Sequence, residues 1–149
     1  TGRDLTLWNG YCQVHAIFSL KDLIKLKVRH PDAETLAHPE CDETLLDQAD
    51  FIGSTTALIN RTQKSSRKEF IIVTEPGVIH QMEKMNPKKK YIPLANNEGC
   101  ACNECPHMRL NTIDKMIYTL ESKTPEIILG EEVMRKATPP LLRMLDLSK

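Results

Sequence analysis

Three of the chain's five cysteines, Cys100, Cys102 and Cys105, fall within the stretch Glu98 to Met108. Thiols clustered in a loop of an intracellular enzyme point to metal, and a thiolate beside proline is a familiar way to hold an iron–sulfur cluster. Cys102 and Cys105 form a C-x-x-C pair, and Cys100 adds an overlapping one. A closed tetrahedral zinc site wants two such pairs, and Cys12 with His15 completes one only loosely. The turn His38-Pro39-Glu40 puts an imidazole and a carboxylate on a rigid backbone. Such a pair suits proton transfer or polar substrate binding, and equally an ordinary entry into a helix. Gly53-Ser54-Thr55-Thr56 offers hydroxyls and free N–H groups before a helix, fit for a phosphate or carboxylate or simply for an N-cap. Cys41 reads as a packing residue, and His30, His80 and His107 read as structural or surface groups. Met82, Met85, Met116, Met134 and Met144 recur at helical spacing and read as core.

These groups need elements to hold them. Short apolar runs at Leu5–Trp8, Glu34–Ala37, Phe51–Ile52, Phe70–Val73 and Tyr91–Leu94 predict strands. The unbroken run at Phe70–Val73 suits a sheet covered on both faces. Pro93 removes a ladder donor and so marks an edge strand. Ser19 caps a helix that stops before Pro31, and Asp42 caps another through Ala49. Ala57–Ile59 lie on a further helix, and Gln63 to Lys68 read as a surface connection. Helices are also predicted over Val78–Met85, from Leu110 through Leu120, and from Glu131, the last interrupted at Pro139-Pro140. Strand, loop and helix in alternation give an α/β three-layer αβα sandwich with a mainly parallel sheet. Ligands in such domains sit beyond the carboxyl ends of the strands. Cys12, His15, His38, Glu40, Ser54, Thr55, Glu75 and Cys105 all follow predicted strands and should converge there.

At 149 residues the chain has the size of one domain, and its formal net charge is zero. A neutral balance argues against nucleic acid and anionic membranes as partners. No apolar run is long enough to span a bilayer, and no signal-peptide pattern opens the chain. An odd cysteine count fits a reducing, cytoplasmic compartment. The chain opens without Met just before a strand, as a piece of a longer protein would.

Gly10–His15, His38–Glu40, Ala49–Thr55, Phe70–Gly77, Cys105–Met108 and Asn111–Thr112, in this order and spacing, together resemble quinolinate synthase. The likeness runs over nearly the whole chain and covers about the C-terminal half of the family's usual length. It implies a protein of three similar αβα domains around a central cavity. Residues 1–16 would then end the second domain with its cluster-cysteine loop, and 17–149 would form the third. It also implies a 4Fe-4S cluster held by one cysteine from each domain. The cluster would act as Lewis acid in condensing iminoaspartate with dihydroxyacetone phosphate to quinolinate, for NAD biosynthesis. By resemblance Cys12 and Cys105 are cluster ligands, Cys105 being the thiol in a Cys-Pro-x-Met context. Likewise His15, His38, Ser54 and Thr55 bind substrate or product, and Glu40, with His38, handles protons. The first cluster cysteine lies outside this sequence, so the fragment alone is expected to be inactive and to need the missing N-terminal domains. The competing expectation is a non-catalytic zinc-binding α/β module, with Cys100, Cys102, Cys105 and His107 or Cys12 as ligands.

Overall fold

The structure is a computed structural model that describes residues 4, 9–95 and 103–148. The chain divides into two compact units, Thr1–Arg109 and Leu110–Lys149. The expected strand at Leu5–Trp8, and Cys100 and Cys102, lie outside the described residues.

In the first unit α1 (Gln13–Ala16) and α2 (Leu20–Arg29) precede β1 (Glu34–Ala37), followed by α3 (Glu43–Leu46) and β2 (Phe51–Ile52). Then come α4 (Thr55–Lys64), β3 (Glu69–Val73), α5 (Gly77–Met85) and β4 (Lys90–Pro93). The starts and stops follow from side-chain chemistry. Ser19 Oγ accepts the Asp22 N–H at 3.3 Å, Asp22 sits in the first turn, and Lys27 and Arg29 sit in the last. That charge order complements the helix dipole. Asp42 Oδ1 accepts the Thr44 N–H at 3.0 Å to start α3. This helix is shorter than expected. It ends at Leu46, and Gln48 and Ala49 continue as turns hydrogen-bonded to Leu45 and Leu46. The helix α4 in turn runs to Lys64, two residues into the segment read as a connection.

All strands pair in parallel, in the order β2-β1-β3-β4. Leu36 lies opposite both Phe51 and Ile72, and Ile72 opposite Pro93. From β1 the chain first moves one way to β2, then crosses back to β3 and on to β4. Right-handed crossovers send helices to opposite faces when the direction reverses. One face packs Ala37, Ile71 and Val73 against Val14, Phe18, Leu23 and Leu45 of the α1–α3 region. The other packs Leu36, Phe70 and Ile72 against Leu58, Val78 and Met82 of α4 and α5. Alternate residues of β1 and β3 thus serve opposite layers, as a strand's two-residue period requires. This is the expected three-layer α/β sandwich. The reversal leaves a topological switch point between β1 and β3, where a crevice opens beyond the strand ends.

The second unit contains α6 (Ile113–Ser122) and α7 (Glu131–Leu147). Thr112 Oγ1 caps α6 through the Lys115 N–H at 3.3 Å. The break expected at Pro139-Pro140 does not occur, and α7 runs through both prolines. Proline's fixed φ suits a helix, and its cost lies in the lost N–H donor and in crowding of the preceding turn. Residues 135 and 136, whose carbonyls lose their donors, are exposed, so water can satisfy them. Met82 is fully buried as expected, but Met85 is half exposed at the end of α5. Met116, Met134 and Met144 are also exposed, as are Leu110, Ile113, Ile117 and Leu120. Helical spacing establishes a common face and says nothing of what covers it.

Candidate functional site

At the switch point the sheet ends present polar side chains that reach one another across long sequence separations. Cys12 is the residue before α1, and that single turn buries His15, which is 7% exposed. His15 Nε2 lies 2.9 Å from Thr74 Oγ1, immediately after β3. After β1, the His38 N–H donates to the Val73 carbonyl at 3.1 Å, carrying the parallel pairing one residue beyond the strand. The Cys41 N–H returns to the His38 carbonyl at 3.0 Å, closing the turn that contains Pro39 and Glu40. The Glu40 N–H donates to His38 Nδ1 at 3.3 Å, which leaves that nitrogen an acceptor.

The rings of His15 and His38 stack with centroids 4.5 Å apart and planes 13° from parallel. Glu40 Oε2 stands 3.1 Å from His15 Nδ1 and 3.9 Å from His38 Nδ1. The approach to His15 Nδ1 has ion-pair distance but is off the direction of a hydrogen bond, so this buried nitrogen has no hydrogen-bond partner. Burial holds His15 below the ordinary histidine pKa, the neighbouring His38 lowers it further, and Glu40 opposes both. At neutral pH the ring is therefore uncharged.

Cysteine environments differ sharply. Cys41 is buried, its Sγ 3.4 Å from the Val73 carbonyl, and burial pushes its thiol up to about 11. It is a packing residue, as the sequence suggested. Cys12 and Cys105 are half-buried and border one cavity of about 810 Å³, together with Tyr11, Pro106 and His107. A ligand atom from each of Cys12, His15 and Glu40 lies within 4.8 Å of the others.

The loop carrying Cys105 is tied to the end of β3. Arg109 reaches Glu104 Oε2 at 3.0 Å and Glu75 Oε1 at 3.6 Å. Its N–H donates to the Cys105 carbonyl at 3.1 Å, and Asn103 donates to the Leu94 carbonyl. Glu75 Oε2 also accepts the Gly77 N–H at 2.7 Å. A Cβ at Gly77 would meet that oxygen at 2.7 Å, so a larger residue there would require the Glu75 carboxylate to shift. Ser54 and Thr55 lie at the end of β2, where Ser54 Oγ accepts the Ala57 N–H at 3.4 Å. Among the described residues no hydrogen bond or ion pair joins them to His15, His38 or Glu40. Thr74 and Arg109 were not singled out from sequence. Thr74 was findable, since it stands between a predicted strand and Glu75, whereas nothing in the sequence pairs Arg109 with Glu75.

A parallel α/β domain with thiols, imidazoles and a carboxylate gathered at its switch point belongs to the broad class built to hold a polar ligand or metal there. More narrowly, this chain belongs to the quinolinate synthase family, whose model, described as "NadA: Quinolinate synthetase A protein", matches residues 1–146. It is 55% identical over 148 residues to the quinolinate synthase of Synechocystis sp., covering 99% of this chain and 46% of that protein. The corresponding enzymes of Trichodesmium erythraeum and Microcystis aeruginosa are 54% and 55% identical over the same length. The chain spans about half the length of these curated relatives. No helix among the described residues is long and apolar enough to cross a membrane.

Proposed function

We propose that this chain is the C-terminal part of a cytoplasmic quinolinate synthase that condenses iminoaspartate with dihydroxyacetone phosphate to quinolinate, in NAD biosynthesis. The reading is carried by one observation, the meeting of Cys12, His15, His38 and Glu40 at the switch point beside the cavity that Cys105 also borders. In this reading residues 1–16 end a second αβα domain and 17–149 form the third, with N-terminal domains completing the enclosure.

The donor set fits an iron–sulfur cluster. Cys12 and Cys105 are half-buried thiols on one cavity, whereas Cys41 is closed off by burial. Those two would be ligands, with the third cysteine supplied by the N-terminal part. A 4Fe-4S cluster, when bound, supplies an iron with an open position that polarises a carbonyl or hydroxyl oxygen. Glu40, more than half exposed, takes protons from the reacting carbons and returns them to departing hydroxyls. His38 stands beside it and keeps its Nδ1 occupied by the Glu40 N–H, so its Nε2 carries the proton. An uncharged His15 binds substrate through the ring nitrogen that Thr74 does not hold, without a buried charge. Ser54 and Thr55, at the start of α4, present a hydroxyl pair and free N–H groups to a phosphate. With two of three ligands, the isolated fragment neither retains a cluster nor turns over.

The test is anaerobic iron–sulfide reconstitution of the full-length protein, read by visible absorbance and by iron and sulfide content. Cys12→Ala and Cys105→Ala lose the cluster, while Cys41→Ala and Cys102→Ala keep it. A cluster that survives both of the first two changes, or quinolinate made by the 149-residue piece alone, overturns the reading.

A further inference from the structure

We infer that Cys12, His15 and Glu40 form a divalent-cation site, suited to zinc, that fills when no cluster occupies Cys12. The thiolate, imidazole and carboxylate all offer ligand atoms within 4.8 Å of one another, and they are the only such group of three among the described residues. Within this set His15 Nδ1 and Glu40 Oε2 are 3.1 Å apart. Two ligands bound at about 2.0–2.1 Å around a tetrahedral zinc stand roughly 3.3 Å apart, so little movement is needed. One thiolate and one carboxylate balance the charge of a divalent ion, and the imidazole adds none.

A second observation points the same way. His15 is over nine-tenths buried, yet its Nδ1 has no hydrogen-bond partner. Its other nitrogen is held by Thr74 Oγ1 at 2.9 Å. Metal-bound histidines usually donate their second N–H to such a partner, which fixes the tautomer and aims the free nitrogen at the ion. This set comes from the residue before α1, from α1 and from the turn after β1, and shares Cys12 with the zinc ligands considered from sequence.

This site stands apart from the cluster reading, because zinc and the cluster compete for Cys12. The test uses full-length protein prepared without iron or sulfide. Zinc is titrated against a chromophoric chelator, and cobalt(II) serves as a spectroscopic substitute whose near-ultraviolet band reports thiolate ligation. We expect one zinc equivalent, with Glu40→Gln and His15→Ala each weakening it at least tenfold. Thr74→Val should weaken it by about 10–100-fold. Cys100→Ser and Cys102→Ser should leave it unchanged. Since Glu40 is exposed, Glu40→Gln tests the site without threatening the fold. Zinc affinity unaltered in Glu40→Gln and His15→Ala, or lost in Cys102→Ser, overturns the inference. A protein that fails cluster assembly still answers, since no iron enters the measurement.

Discussion

The two ends of the parallel sheet both carry charged and polar groups and use them in opposite ways. At the amino end, buried Glu34 is closed off by Arg61 Nε and Ser65 Oγ, each at 2.5 Å. There Asp50 Oδ2 accepts the Thr35 N–H at 2.7 Å, and Lys27 donates to the Gln48 carbonyl at 2.6 Å. Lys89 spans the Thr62 and Ser65 carbonyls. A cleft of about 500 Å³ lies there, lined by Lys27, Glu34, Asp50 and Arg61, each of which has a hydrogen-bond partner, although the buried Thr35 Oγ1 nearby has none. At the carboxyl end, His15 Nδ1 goes unpartnered, two neutral-capable rings stack, and Glu40 faces solvent. Polarity in a cleft does not mark a site. An unpartnered ring nitrogen gathered with a thiol and a carboxylate does.

Substitutions at the two ends should therefore separate chemistry from stability. Glu40→Gln should lower kcat of the reconstituted full-length enzyme by about 10²–10⁴-fold, the usual worth of a positioned acid–base group. Its unfolding free energy should move by no more than about 0.5 kcal/mol, as for an exposed position. Steady-state kinetics beside urea titration checks both, and a large stability loss would break the contrast. Arg61→Ala should do the reverse, costing about 3 kcal/mol by stranding the Glu34 carboxylate, with kcat preserved. A shifted urea midpoint at constant slope is the readout. A smaller effect concerns thiols at the carboxyl end. With its pKa near 11, Cys41 has roughly one thiolate per thousand molecules at pH 8, so iodoacetamide should label it at least tenfold more slowly than Cys12.

The smallest effect is on pH dependence. The folded pKa of His15 lies below its unfolded value of about 6.5, so below that pH the unfolded chain binds the extra proton. Stability from this group is complete above pH 6.5 and falls as pH drops from there toward the folded pKa. Urea midpoints at pH 7.5 and 5.5 should differ less in His15→Gln than in the parent.

Much of the architecture was legible because fully buried parallel strands read as short apolar runs, and Ser19, Asp42 and Ser54 announce their helices by capping. Pro139-Pro140 misled because the sequence shows the missing donors but not the exposure that lets water replace them. The methionines misled because periodicity does not reveal what lies opposite a face. At the site, the convergence of His15, His38 and Glu40 was legible from the rule that loops at strand ends gather. The contact of His15 with Thr74, 59 positions away, was not, since nothing local couples the two residues.

The sheet's margins bear on how the chain behaves in solution. Among the described residues one outermost strand, β2, is two residues long, and the other, β4, ends in Pro93, which has no N–H to offer. Strand addition needs a row of free donors and acceptors, and neither margin provides one of any length. Chains of this kind should thus resist edge-to-edge polymerisation into cross-β assemblies, even when the first unit is handled apart from the rest of its protein.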